Sequence, residues 1–266
     1  MRTRLAPTPS GFVHEGNLVN FLVISHVAQT CDADVALRLD DIDHLRVQDE
    51  YVDDIFRVLT GLEIPWTYGP RSTADLAQWT QHQRLDRYQR AREELWMTGL
   101  AYHCTCSRTH WNAFTGDSCP GKCRLGKLAF HVGHTATRLH LDGVPDPIIW
   151  RRDDLPAYHL TSTVDDCDGR IDLVVRGEDL TSSTDVQRRI SRALPGNTFH
   201  QALVLHHPLV TIEGGVVTIR QCTRTTRVTA AAALLRSLRR TVVEAGKLEY
   251  LVVHGGAEDH DTEHAE

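Results

Sequence analysis

Residues 2–39 read RTRLAPTPSGFVHEGNLVNFLVISHVAQTCDADVALRL, and the fold turns on this stretch. Thr3 to Ala6 is a short strand-like run that enters a loop of Pro7, Thr8, Pro9, Ser10 and Gly11. A broadly apolar helix follows from about Asn17 to Gln29, carrying Leu18, Phe21, Leu22, Val23 and Val27, and Val35 to Leu39 is a second strand. Strand, loop, helix and strand within about forty residues make a βαβ unit, which implies a parallel sheet. A Pro/Gly-rich loop between a strand end and a helix N-terminus is where such folds bind phosphates, because backbone N–H groups there have no helical partner. His14 in that loop is a donor for a phosphate oxygen as charge builds. The plainer alternative is a turn with a surface histidine.

Val52, Ile55, Phe56 and Leu59 recur at helical spacing, and Gly61 ends that helix. Leu85, Tyr88, Ala91 and Leu95 mark another, stopped by Gly99. Residues 100–146 have little periodicity and hold a cysteine cluster, so they read as a small inserted module between two halves of a core, 1–99 and 147–250. Strand character returns at Ile148 to Trp150 and at Ile171 to Val175. Thr181 to Leu194 is a helix with Ser/Thr at its start for capping. Leu203 to Leu205 and Leu209 to Ile212 are short apolar runs, and Val228 to Glu244 is a last helix. Residues 251–266 are polar, acidic and rich in histidine, and are expected to be a disordered tail.

Seven cysteines are present, and four lie together in HCTCSRTHWNAFTGDSCPGKCR as Cys104, Cys106, Cys119 and Cys123. An odd total, one tight cluster and no secretory signal favour a metal over disulfides. Four thiolates close a tetrahedral site, so the expectation is one structural Zn²⁺. A cluster without metal is the alternative. No run of 18 apolar residues occurs, so no membrane span is expected and the compartment expected is the cytoplasm. The net charge of −6 excludes a basic coat for nucleic acid. Any RNA contact is local, and Arg220, Arg224, Arg227, Arg236, Arg239 and Arg240 form one basic stretch. A solvated helix face explains those arginines equally well.

Two further stretches place charged groups at strand ends. LRLDDIDHLR, residues 37–46, puts acidic groups at a strand's carboxyl end, where they can grip an ammonium group. PAYHL, residues 156–160, precedes VDDCDGRIDLVVRGEDL, residues 164–180, in which Arg176 at a strand end can clamp a carboxylate through two N–H bonds. Read without further context, the first is a solvated acidic turn, Tyr158 a core aromatic and Arg176 a surface ion pair.

These strings together resemble the glutamyl-tRNA synthetase group of class I aminoacyl-tRNA synthetases, including its truncated glutamyl-queuosine tRNA(Asp) members, over roughly residues 2–228. The opening is similar to the family's APSPTG and HIGH signature, with His14, Glu15, Gly16 and Asn17 at the HIGH position. LRLDDIDHLR resembles LRIEDLDPPR, CPGKCR resembles YPGxCR, and PAYHL with VVRGEDL resembles PAYQLAVVVDD and VVRGEDLLxST. The resemblance implies an α/β, class I synthetase-like Rossmann fold with a parallel sheet, split by a zinc-binding insertion.

It also implies roles. His14 and Gly16 serve catalysis and, with Asn17 and Gln221, ATP binding. Arg4, Thr8, Asp40, Tyr158 and Arg176 hold glutamate. The implied reaction forms glutamyl-adenylate from glutamate and ATP with Mg²⁺, then transfers the glutamyl group to tRNA, the queuosine of tRNA(Asp) being one acceptor. The chain departs from the pattern at the KLSKS-type loop, where Thr218 to Cys222 puts Gln221 at the second Lys; Arg220, then Arg224, is the expected replacement cation. Two other readings stay open: a non-catalytic paralogue binding amino acid, nucleotide or RNA, and an adenylating ligase with a non-tRNA acceptor. The oligomeric state is left open.

Overall fold

The computed structural model describes residues 1–106, 119, 122–213, 216–220 and 252–253; of residues 15, 210–220 and 252–253 the backbone alone is described. Strand β1 (Arg2–Leu5) runs parallel to β2 (Asp34–Leu37), with Thr3 opposite Val35 and Leu5 opposite Leu37, and helix α1 (Glu15–Thr30) crosses between them. Helix α2 (Asp49–Gly61) follows and buries Val52, Ile55, Phe56 and Leu59, the face expected from their spacing. The chain then returns beside β2, where the Tyr68 carbonyl accepts the Leu37 N–H at 2.8 Å. Gly69 makes that return possible: its φ is +112°, and a Cβ there would collide with the Leu37 carbonyl oxygen.

A short helix α3 (Leu76–Trp79) leads to α4 (Leu85–Met97), which buries Tyr88, Ala91 and Leu95. Residues of the segment read as a small inserted module then form β3 (Ala101–Cys104) and β4 (Ala136–Leu139), which with β5 (Ile148–Trp150) make an antiparallel sheet, the one-turn helix α5 (Lys122–Leu125) beside it. Ile148–Trp150, expected to open the second half of the core, instead completes this sheet. The antiparallel unit therefore runs past residue 146. It is not a free module either: Leu139, Leu141, Ile149 and Trp150 share one apolar cluster with Leu160, Val164, Val186 and Ile190.

Helix α6 (Tyr158–Asp168) was not expected; only Leu160 and Val164 of its buried residues are large and apolar, the rest being Thr, Ser and Asp. Strand β6 (Leu173–Gly177) follows, then helix α7 (Thr181–Ala193) and β7 (Leu203–His207), which pairs parallel with β6. The start of β6 lies beside β1, where the Asp172 N–H donates to the Arg2 carbonyl at 3.1 Å and the Arg2 N–H to the Asp172 carboxylate at 2.6 Å. Leu5, Leu37, Leu173 and Val175 share one core with α1 and α2. The fold is α/β, with parallel strand pairs whose carboxyl ends meet on one edge.

The side-chain cap expected for α7 is absent. Leu180 is the N-cap and bonds no helix N–H through its side chain, while the Thr181 hydroxyl donates to the Glu178 carbonyl at 2.6 Å and that of Thr184 to the Leu180 carbonyl at 3.0 Å. A 3₁₀ turn, Glu178–Leu180, feeds the helix instead. After β7, β8 (Leu209–Glu213) and β9 (Val216–Arg220) form an antiparallel pair, and β10 (Val252–Val253) adds parallel to β9. The segment read as a disordered tail from 251 thus contributes a strand at 252–253. The expected helix from Val228 to Glu244, Gln221, Arg224 and the later arginines lie outside the described residues, as does the rest of the tail.

Candidate active site

The carboxyl ends of β1 and β6, the loop after β1 and the start of α6 enclose a cavity of about 480 Å³. Arg4, Thr8, His14, Asn17, Asp40, Tyr158 and Arg176 all line it. Seven residues from four separate stretches of chain are thus brought to one place.

His14 is the N-cap of α1. Its Nδ1 accepts the Gly16 N–H at 3.1 Å, and its own N–H donates to the Asn17 Oδ1 at 3.3 Å. An Nδ1 that accepts leaves the proton of the neutral ring on Nε2, a donor from an exposed side chain. Gly16 keeps this arrangement, since a Cβ there would stand 3.1 Å from the His14 Cε1. The helix N-terminus behind the ring adds unpaired N–H groups, which favour an anion. Thr8 lies exposed in the same loop.

The floor of the cavity is a buried charge network. Arg4 donates through Nε to Asp166 at 3.1 Å, and Arg38 donates to Asp166 at 2.6 Å and to Asp40 at 2.6 Å. Burial alone would raise the Asp166 carboxyl, but Arg4, Arg38 and Arg176 together hold it below the usual carboxylate range. Burial raises the Asp40 carboxyl although Arg38 opposes it. Asp40 therefore reaches the cavity already clasped by Arg38, with its remaining lone pairs left for a ligand. Asp165 is engaged behind them by Gln81, Arg84 and Tyr88, each at 2.8 Å.

Arg176 differs from the other cations. Its Nη1 donates to the Gln187 Oε1 at 2.8 Å, while Nε and Nη2 are buried with no hydrogen-bond partner. Burial, and then the charge of Arg4, lower the guanidinium to about 10, which leaves it charged at neutral pH. Arg4 and Arg38 are paired with Asp166, Asp40 and, at 3.9 Å, Asp165, whereas Arg176 makes no ion pair among the described residues. A buried cation with free donors is costly unless an anion joins it. Gln187 in turn donates to the Ser162 hydroxyl at 2.6 Å, and Ser162 donates to the Tyr158 carbonyl at 2.7 Å, which ties Arg176 to the start of α6.

Four contributors were not singled out from the sequence: Arg38, Asp166, Gln187 and Asn20, whose Oδ1 lies 3.0 Å from His207 Nε2 beside the cavity. Arg38 and Asp166 stand inside quoted strings, next to residues that were chosen. Of the expected activation-loop residues, Arg220 ends β9 opposite Leu209, and a Cβ on Gly177 would stand 3.1 Å from Leu209 Cδ2. Its backbone therefore belongs to the same edge of the fold as the carboxyl end of β6.

Residues 1–120 match the family model for the catalytic domain of class I tRNA synthetases (E and Q). A glutamyl-Q tRNA(Asp) synthetase of Dechloromonas aromatica is 32 % identical, with 90 % of this chain and 85 % of the relative covered. One from Synechococcus sp. is 33 % identical, covering 80 % of this chain and 77 % of the relative. The chain belongs to the class I tRNA synthetases of the E and Q group. It spans about half the length, 49 %, of the glutamate–tRNA ligase of Natranaerobius thermophilus, to which it is 30 % identical. The glutamate-tRNA synthetase structure from Elizabethkingia anophelis shares the fold, with a TM-score of 0.63 at 17 % identity over 92 % of this chain.

Beside the synthetase core's cavity lie two further features. Cys104, Cys106, Cys119 and Cys123 are free thiols whose sulfurs all fall within 4.8 Å of one another. Cys106 Sγ is 3.8 Å from that of Cys119 and 3.6 Å from that of Cys123. A tetrahedron with zinc–sulfur bonds of about 2.3 Å has edges of about 3.8 Å, so the donor set fits zinc. Burial opposes it, but the Thr105 backbone and the neighbouring thiols draw the Cys123 thiol down to about 7, toward the thiolate that a metal needs. Arg152 donates to the carbonyls of Thr105 at 2.8 Å and Cys106 at 3.1 Å, bracing the turn. The second feature is a cleft of about 950 Å³ between the antiparallel sheet and helices α6 and α7, and Tyr158 stands in the wall of both cavities. No helix among the described residues is long and apolar enough to cross a membrane.

Proposed function

We propose that this synthetase core activates glutamate with MgATP and passes the glutamyl group to tRNA. A glutamate carboxylate oxygen attacks the α-phosphorus, the bond to the β,γ-phosphates breaks, and glutamyl-adenylate and pyrophosphate result. The observation that carries the reading is Arg176, buried, charged and with two unpartnered N–H groups in a cavity of ligand size. Those two donors suit the side-chain carboxylate of glutamate. Thr8, Tyr158 and Arg4 complete the amino-acid pocket, and the free lone pairs of Asp40 receive the α-ammonium. His14 Nε2–H, with Gly16 and Asn17 at the start of α1, receives the phosphates, and Arg220 supplies the cation in place of the family lysine at Gln221. Catalysis by such a site is positioning and charge stabilisation.

Zinc held by Cys104, Cys106, Cys119 and Cys123 has a structural part, since four thiolates leave no open position for a substrate. The acceptor is a tRNA, for which the glutamyl-Q tRNA(Asp) relatives suggest the queuosine-bearing tRNA(Asp). ATP and tRNA as substrates put the reaction in the cytoplasm. The Gln221 change favours a second reading, a paralogue that binds these ligands without activating them.

Glutamate-dependent exchange of pyrophosphate into ATP, with and without added tRNA, separates the two. The activation reading expects exchange with glutamate and background with glutamine. Background exchange with every amino acid, in the presence of tRNA as well, sinks it. Arg220→Ala is expected to lower the rate strongly and Gln221→Lys to restore part of it.

A further inference from the structure

We infer that His159, in the wall of the larger cleft next to Tyr158, is the base that accepts the proton of the hydroxyl group attacking the activated glutamate. The inference rests on the activation reading above. His159 follows Tyr158 directly, with the two rings 5.4 Å apart, and lines the larger cleft while Tyr158 lines both. An acceptor occupying the larger cleft therefore approaches the acyl group past this pair. The cleft is about twice the volume of the amino-acid cavity, 950 against 480 Å³, so it has room for a substrate larger than an amino acid.

The chemistry of the side chain suits the task. His159 Nε2 lies 3.3 Å from the Ser183 hydroxyl, which also lines the cleft. That is long for a hydrogen bond to oxygen, and catalytic contacts of this length tighten when substrate arrives. Arg138, Asp146, Arg151, Arg152 and Asp153 line the same cleft, and Arg176 from β6 is the charged group that acts on the ring. Burial first, and then Arg176, keep the imidazole below the ordinary histidine value. It is therefore neutral and able to take a proton at pH 7. In the step itself the hydroxyl oxygen bonds to the acyl carbon of glutamyl-adenylate. The acyl–oxygen bond to the α-phosphate breaks, AMP leaves with the electron pair, and the hydroxyl proton passes to His159 Nε2. Water or an RNA hydroxyl serves as the nucleophile by the same route.

Full-length protein with His159→Gln or His159→Ala tests this. Glutamine keeps a hydrogen bond to Ser183 without basicity. Three readouts are taken: pyrophosphate exchange, AMP release from ATP and glutamate in water alone, and charging of unfractionated bacterial tRNA. Exchange is expected to persist in both variants, while AMP release or tRNA charging falls about 100-fold. In the parent that transfer rises with pH through a value below the ordinary histidine one; the variants lose this limb, and added imidazole restores transfer to His159→Ala. Variants that transfer at the parent rate with the parent pH profile overturn the inference, as does a parent that exchanges pyrophosphate yet neither releases AMP nor charges tRNA. A parent without exchange overturns the activation reading as well, and so is distinguishable.

Discussion

The cysteine cluster and the arginine-lined cavity are opposite kinds of site. The cluster draws four like ligands from 20 residues of chain, Cys104 to Cys123, and its spacing announces its chemistry. The cavity draws unlike groups from stretches far apart, with Arg4 and Asp166 separated by 162 residues and Arg38 and Asp166 by 128. The first gathers its ligands from one short stretch of chain. The second is made by long-range packing, which brings the parallel pair β1–β2, the strand β6 and helix α6 together. A site built by long-range packing can hold an unpaired cation such as Arg176, because the surrounding core over-determines its position.

Metal removal should break this comparison open most widely. Structural zinc contributes about 10–16 kcal/mol to small metal-folded units. Chelation is therefore expected to free the four thiols and expose the amides of Cys104 to Cys106 to hydrogen exchange. β4 and β5 should stay protected, because Leu139, Ile149 and Trp150 pack on α4, α6 and α7. Global unfolding on chelation would contradict the separation of the two sites, and mass-spectrometric hydrogen exchange reads the difference.

Asp166→Asn comes next. It leaves Arg4 and Arg38 buried against a neutral amide, a change that costs about 3–5 kcal/mol when one partner of a buried pair is removed. The sign of the pH dependence follows from the direction of the shift. A folded-state pKa held below the unfolded value gives stability that is complete above about pH 4 and lost as pH falls through the folded value. Thermal melts from neutral to acid pH should show a parent limb that the variant lacks. Gly69→Ala is the smallest of the three: an alanine at φ +112° beside the Leu37 carbonyl should cost about 1–3 kcal/mol, read as a lowered urea midpoint with cavity and cluster both intact.

Much of the fold was legible because it follows apolar spacing. β1, α1 and β2 stand within a residue or two of the short strand-like runs and the apolar helix read around the Pro/Gly loop, and α2 and α4 bury the residues expected. Helix α6 was not legible, and the reason is physical. Thr161, Ser162, Thr163, Asp165 and Asp166 are buried on it, so the face that meets the core is polar and no 3.6-residue apolar period exists. Those groups are stabilised by Arg4, Arg38, Arg84 and Gln187, partners that sequence spacing cannot name. Of the antiparallel sheet, β3 and β4 were hidden by their length of four residues, below that at which alternation stands out, while β5 was read as a strand but not as part of this sheet. The motif strings located Arg176, Asp40 and His14; that Arg38 clasps Asp40 and that Arg176 keeps two free donors emerges only from packing.

The central claim is that those donors await the side-chain carboxylate of glutamate. Isothermal titration of the parent and of Arg176→Met with glutamate and with glutamine tests it directly. The parent should bind glutamate and discriminate against glutamine. Arg176→Met should lose about 2–5 kcal/mol of glutamate binding, the usual effect of truncating a buried charge pair, and with it the discrimination. Its melting temperature should change little, because removal of an unpaired buried charge offsets the loss of the donor to the buried Gln187 Oε1. Glutamate binding of equal strength in parent and variant would contradict the account.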